Sequence, residues 1–78
     1  MYQNYVVEIK KYTSGEFEHN VFWLYDENQN KALLKAESKY HEILAAAAVS
    51  EAAEHSAILF TSEGFPVDHK CYIHDAEA

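Results

Sequence analysis

One long helix-forming run lies between two pairs of β-rich segments, and this arrangement limits the folds open to the chain. The run extends from Gln29 to about Val49. Its apolar residues recur at steps of three and four, which is typical of a helix with one buried side. They are Leu33, Ala36, Tyr40, Ile43, Leu44 and Ala47. Asp26 or Asn28 can cap the start, because either side chain can accept a hydrogen bond from a first-turn N–H. The chain therefore contains one helix that needs a surface to cover.

Shorter segments on either side of the helix show the two-residue alternation of β-strands. They span residues 5–12, 17–25, 56–61 and 67–74. Tyr5, Val7 and Ile9 alternate with Val6, Glu8 and Lys10, the pattern of a strand with one buried face. The turn around Gly15 joins the first two segments as a hairpin. A chain of 78 residues has room for one core, so residues 1–78 form one domain, with residues 75–78 as a frayed tail. We predict an α+β domain of order ββαββ, in which one long helix packs on one face of an antiparallel-rich, four-stranded sheet.

The second and third strands are apolar on both faces. Strand two carries Phe17, Val21, Trp23 and Tyr25 on one face and Phe22 and Leu24 on the other, and in strand three Ala57 and Leu59 alternate with Ile58 and Phe60. One helix covers one face, so an aromatic-rich patch is left in water, and such patches commonly mark interfaces. We expect a homodimer or a tight complex anchored by Phe22, Trp23, Tyr25, Phe60 and the turn residue Phe65. The alternative is a compact monomer with scattered exposed aromatic residues.

The charge balance bears on the partner. Thirteen acidic residues face six lysines, no arginine is present, and the formal net charge is −7. Arginine is the usual side chain for bidentate recognition of phosphates and bases, so this composition argues against direct nucleic-acid binding.

No stretch is apolar enough for a membrane span, and the N-terminal residues lack the pattern of a secretion signal. The lone cysteine, Cys71, fits a reducing compartment, so we expect a cytoplasmic protein.

Histidines invite a metal hypothesis, which their spacing does not favour. The five histidines form no His-x-His or His-Glu-x-x-His motif, and no Cys-x-x-Cys pair occurs. The best set is His69 and Cys71 on strand four with His19 on strand two, and whether they meet depends on the strand order. His69 and Cys71 share a strand face, which would suit a nucleophile beside a base, but a buried structural cysteine is the favoured interpretation. We expect no metal, no cofactor and no enzyme activity.

Several short segments carry a family resemblance. They are Ala36-Glu37-Ser38-Lys39-Tyr40-His41, the alanine run ending in Val49-Ser50, His55-Ser56-Ala57, Glu63-Gly64-Phe65-Pro66 and Cys71-Tyr72. In these segments, which cover roughly the C-terminal half, the chain resembles a small family of uncharacterised proteins from phages and mobile elements of Gram-positive bacteria. The resemblance implies a context and no particular activity. Small acidic phage-associated proteins often bind a host protein, and some inhibit host defence.

These observations lead to three functional hypotheses. The first is a small, self-associating binding module that inhibits or modulates another protein, for example a phage-encoded inhibitor of a host defence protein, acting through its acidic exterior or its aromatic patch. The second is a protein that sequesters or senses a small molecule at a dimer interface lined by Tyr, Trp and His. The third, which the sequence favours least, is an enzyme.

Overall fold

The computed structural model describes residues 1–74, and the predicted frayed tail lies outside the described residues. Its elements are β1 (Tyr2–Lys11), β2 (Phe17–Asp26), α1 (Gln29–Ala48), β3 (Glu54–Phe60) and β4 (Pro66–Ile73). The order is ββαββ, and α1 packs against the four-stranded sheet. The predicted α+β fold is therefore confirmed.

The strands lie in the order β2-β1-β3-β4, and every neighbouring pair is antiparallel. β1 and β3 are thus central, while β2 and β4 form the two edges.

The predicted hairpin turn between β1 and β2 depends on Gly15, which has a φ of +96°. That backbone conformation is strained for residues with a side chain, so glycine suits the position. The turn is closed by hydrogen bonds from the Tyr12 N–H to the Glu16 carbonyl and from the Gly15 N–H to the Tyr12 carbonyl, each 2.9 Å long.

Asn28, one of the two predicted capping residues, begins the helix. Its side-chain oxygen accepts a hydrogen bond from the Lys31 N–H at 3.0 Å, as an N-cap should. Asp26 supports the cap from one step further back, accepting a 2.8 Å hydrogen bond from the Asn28 N–H. Lys35, nearly two turns into the helix, lies 3.0 Å from the other oxygen of Asp26. The two candidate caps therefore act in series.

The core lies between α1 and one face of the sheet. On the sheet side it contains Val6, Ala57 and Leu59, and on the helix side Ala36, Tyr40 and Ile43 are all buried. Ala32, Ala36 and Ala47 have no exposed surface, so the helix contacts the sheet along an edge of small side chains, which allows a close approach. Leu33 and Leu44, which the periodicity also placed on the buried stripe, are only half-buried.

The helix covers the side of β1 that carries Val6 and Glu8, and not the more apolar side that carries Tyr5, Val7 and Ile9. Val6 pairs across the sheet with Phe22 and Leu59, so all three meet the helix. The charge of Glu8 is tolerated beneath the helix because polar side chains bind it there, as described below.

Candidate functional site: the open face of the sheet

The side of the sheet opposite α1, called the open face from here on, carries apolar side chains from all four strands. Paired residues of neighbouring antiparallel strands project on the same side, so the pairing register arranges this face in rows. The first is the aromatic row, Trp23-Tyr5-Phe60; the next are Val21-Val7-Ile58-His69, His19-Ile9-Ser56-Cys71 and Phe17-Lys11-Glu54-Ile73. Aromatic and branched apolar residues therefore form a continuous surface across β2, β1 and β3 in the first two rows, and β4 adds His69, Cys71 and Ile73 at its edge.

The aromatic row is a contiguous cluster of rings. The Tyr5 ring lies 4.7 Å from the Trp23 ring, tilted by 38°, and 4.7 Å from the Phe60 ring, nearly parallel to it at 10°. Both distances are in the range at which aromatic pairs attract each other. Trp23 remains 49% exposed and Tyr25, two residues further along β2, is 46% exposed. The three rings of the row are held in place by one another, while about half of the surface of Trp23 stays in water.

The open face is almost free of formal charge. Within the rows given above, the acidic and basic side chains are Lys11 and Glu54, which lie 3.8 Å apart as a cross-strand ion pair at one end of the sheet. Next to them, the Lys11 ammonium also lies 5.8 Å from the ring centre of Phe17. The net charge of −7 is therefore carried by the rest of the molecule. The open face is a neutral, apolar surface on an acidic protein.

The predicted anchor residues are only partly brought together. Trp23, Tyr25 and Phe60 lie on the open face, as their alternation indicated. Phe22 points to the helix side, where it packs against the core and under the Lys39 ammonium, 4.9 Å from its ring centre. Phe65 lies in the turn between β3 and β4, exposed but outside the sheet.

Tyr5 was missed as an anchor because the sequence gives no strand order. Only the placement of β1 between β2 and β3 shows that its ring joins Trp23 to Phe60. Tyr5 is therefore the centre of the aromatic row.

The best candidate metal ligands do not meet within one chain. His19 is on edge strand β2, whereas His69 and Cys71 are on the opposite edge strand β4, with two strands between them. Within residues 1–74, no group of three or more His, Cys, Asp or Glu residues is placed to hold a metal ion. Cys71 is exposed, so the expected buried structural cysteine was wrong. Cys71 lies on the open face of edge strand β4, on the side of the sheet away from the helix, which leaves its side chain in solvent.

On the helix side of the sheet, a buried polar network surrounds Glu8. His55, which is 1% exposed, places its Nε2 2.7 Å from Glu8 Oε2, and the Asn20 amide donates to Glu8 Oε1 at 3.1 Å. The same amide donates to Glu18 Oε2 at 3.1 Å, and the Tyr12 hydroxyl donates to Glu18 Oε1 at 3.0 Å. Hydrogen bonds from Asn20 and then Tyr12 hold the pKa of Glu18 below its usual value. The bond to Glu18 also raises the pKa of Tyr12.

The Glu8–His55 pair has the form of a carboxylate that orients a histidine base, but it is closed to substrate. The second ring nitrogen of His55, Nδ1, is buried and has no hydrogen-bond partner. A general base must reach the proton it removes, directly or through one water. Cys71 and Ser56, the nearest nucleophile types in the register, lie on the open face of the sheet. The pair therefore fits a structural role better than a catalytic one.

A small cavity opens at the end of the sheet, away from the open face. It has a volume of about 280 Å³ and is lined by Tyr2, Gln3, Asn4, Gln29, Leu33, Thr61, Ser62 and Glu63. Ligand pockets usually start at about 300 Å³ and are mostly apolar. This cavity is small, and its lining includes neither the tryptophan nor a histidine of the second hypothesis, so it adds nothing to that hypothesis.

Among residues 1–74, no helix is both long and apolar enough to cross a membrane. Comparison of the chain with models of known protein families, with curated proteins and with solved structures gave no match. The function is therefore argued from the geometry of the chain itself.

Proposed function

We propose that this protein is a protein-binding module that acts through its open face. The supporting observation is that an aromatic and aliphatic surface runs across β2, β1 and β3 with no element of residues 1–74 covering it. With strands about 4.8 Å apart and about 3.3 Å per residue, the face from Tyr25 to Phe17 measures roughly 500 Å². The largest exposed apolar patch of a typical monomeric protein measures about 300–600 Å² and is often functional, so a face of this size is a candidate interface.

The open face is better suited to hold a partner protein than the acidic exterior is. Tryptophan and tyrosine dominate the energetic centres of protein interfaces because they bury a large area with little loss of side-chain freedom. Trp23 and Tyr25 meet that description. Several acidic side chains are instead engaged within the chain, as Asp26 is with Lys35 and Glu42 is with Lys39, so the acidic exterior is partly neutralised.

The proposed binding would inhibit or modulate the protein that is bound. A phage-encoded inhibitor of a host defence protein, working in the host cytoplasm, is the form of this function that the family resemblance suggests. Binding by occupation of a surface needs no catalytic group, which agrees with a sealed His55 and a site made of aromatic and aliphatic side chains.

The test is affinity purification from the native host, comparing the parent chain with two matched variants. Trp23→Ser removes the outer ring of the aromatic row, where Trp23 is 49% exposed, and Leu34→Ser removes an apolar residue of the helix that is 63% exposed. We expect a partner that co-purifies with the parent and Leu34→Ser chains and is lost with Trp23→Ser, with circular dichroism confirming that both variants fold. A partner retained by Trp23→Ser would contradict the proposal. A small molecule retained in native mass spectra would support the sequestering hypothesis instead.

A further inference from the structure

We infer that the open face is occupied by a second copy of this chain, packed sheet to sheet about a two-fold axis that runs parallel to the strands. The inference rests on the proposed function, because both use the same face. A second copy and the bound protein compete for this face, so the dimer is the form that the chain takes when no other partner is bound.

The charge distribution favours a second copy. A basic partner would be recognised by acidic side chains, yet the open face is neutral while the protein carries a net charge of −7. Packing two open faces together removes the apolar surface from water and leaves the acidic side chains of both copies outside. The charged pair on the face, Lys11 and Glu54, must then face opposite charges in the second copy.

Only one of the two simple two-fold arrangements meets this requirement. With the axis parallel to the strands, β1 lies over β3 of the second copy and each row lies over its equivalent. Lys11 then faces Glu54 of the second copy, and Tyr5 faces Phe60 of the second copy. With the axis across the strands, the row order is reversed, and the Lys11–Glu54 pair of each copy is set against the aromatic row of the other. Removing an ion pair from water against aromatic rings is costly when no further charge stabilises it, so the parallel axis, which adds an opposite charge to each member of the pair, is preferred.

The size of the face predicts a reversible dimer. Two faces of roughly 500 Å² bury about 1,000 Å² in total, near the lower limit for a specific interface. Aligned sheets pack about 10 Å apart with their strands within about 30° of each other, which suits side chains of the size found here. The dimer should therefore dissociate on dilution. Salt should strengthen it, because ions screen the repulsion between two acidic proteins.

The first measurement is sedimentation equilibrium over a range of concentrations and salt. We expect a monomer–dimer equilibrium that shifts toward dimer as salt rises. In the dimer of Glu54→Lys, positions 11 and 54 of the two copies bring four lysines together, and in that of Lys11→Glu they bring four carboxylates together. Each single variant should therefore raise the dissociation constant of the dimer at least about tenfold. The double variant Lys11→Glu/Glu54→Lys restores complementary pairs and should recover the parent affinity. The arrangement would be overturned if the single variants dimerised with the affinity of the parent, or if the double variant dimerised as weakly as either single variant.

The second measurement fixes the axis. Cys71 is the single cysteine of the chain and is exposed, so it takes one spin label without mutation. In the proposed dimer the two Cys71 residues lie on opposite edges of the sandwich, with Cα atoms about 17 Å apart from strand and sheet spacings. Pulsed dipolar spectroscopy should resolve this separation, after light scattering confirms that labelled chains still dimerise. With the axis across the strands, the two labelled positions would be separated by about 10 Å. Strong dipolar broadening of the spectrum would then refute the inference.

The outcome also separates this inference from the proposed function. A protein that stays monomeric at all concentrations, yet captures a partner in a Trp23-dependent way, overturns the second copy and leaves the binding module. A monomer that captures no such partner overturns both.

Discussion

Replacing His55 by leucine tests whether the buried polar network stabilises the fold through pairing. Glu8, 8% exposed, receives hydrogen bonds from two side chains, and the 2.7 Å contact with His55 is the shorter. His55→Leu leaves a buried carboxylate with only the Asn20 amide. Removing one member of a buried pair costs about 3–5 kcal/mol. A domain of this size has a free energy of unfolding of roughly 4–12 kcal/mol, so this one change removes a large part of it.

The double variant distinguishes pairing from simple burial. Glu8→Leu leaves the imidazole without its acceptor, which costs about 1–3 kcal/mol. Glu8→Leu/His55→Leu removes both polar groups, and replacing a buried pair by apolar residues is often neutral or stabilising. We therefore expect the double variant to lie within about 1 kcal/mol of the parent, and the two single changes to be non-additive by at least about 3 kcal/mol.

The assay is urea unfolding followed by circular dichroism at one fixed protein concentration, because self-association would add to apparent stability. His41→Leu is the control, since His41 is an exposed histidine on the helix and its loss should change stability by no more than about 0.5 kcal/mol. A double variant that is destabilised by the sum of the two single changes would refute the reasoning. The pair would then contribute as two independent side chains.

Three further predictions concern the helix and its cap. Asn28→Ala should lower the free energy of unfolding by about 1 kcal/mol, measured by urea unfolding, because the Lys31 N–H loses its acceptor, while Asn28→Asp should not. Ala36→Leu should destabilise by about 1–3 kcal/mol, because Ala36 has no exposed surface, whereas Ala45→Leu on the exposed side should be nearly neutral; equal effects would show that the helix does not contact the sheet as described. The Asn28 N–H and then Lys35 hold the pKa of Asp26 below its ordinary value of 3.8, so the stability it contributes is present above pH 3.8 and is lost as pH falls through the lower folded pKa. Urea unfolding of Asp26→Asn as a function of pH should lack that acid-dependent part, and an unchanged pH dependence would contradict the assignment.

The fold was predictable because its signals are local. The step of three and four between apolar residues identified the helix, and alternation with turn residues identified all four strands. Their ends moved by up to three residues, as for β1, which begins at Tyr2 and not at Tyr5. The strand order and the covered face of β1 were not predictable in this way. They depend on contacts between distant segments, such as the pairing of Glu8 with His55 across 47 positions.

The candidate site could be predicted in part for the same reason. Apolar residues on both faces of β2 and β3 indicated an uncovered surface, and Trp23, Tyr25 and Phe60 lie on the open face, while their role as anchors stays a prediction. Phe22 was included because aromatic character alone does not show which face the helix takes. Tyr5 was left out because its position between two aromatic neighbours exists only after β1 pairs with both β2 and β3.

The central position of β1 has a consequence for how the chain reaches its folded state. The pairs β1–β2 and β3–β4 are hairpins, which form locally on a timescale of about 1–10 μs. The pairing of β1 with β3 is different, since Lys11 must meet Glu54 across a loop that contains β2 and α1. The entropy of closing that loop is lost before most of the core contacts are gained. We therefore expect the docking of the β1–β2 and β3–β4 hairpins beneath the helix to limit the rate of folding, so that substitutions between β1 and β3 slow folding more than those at either edge.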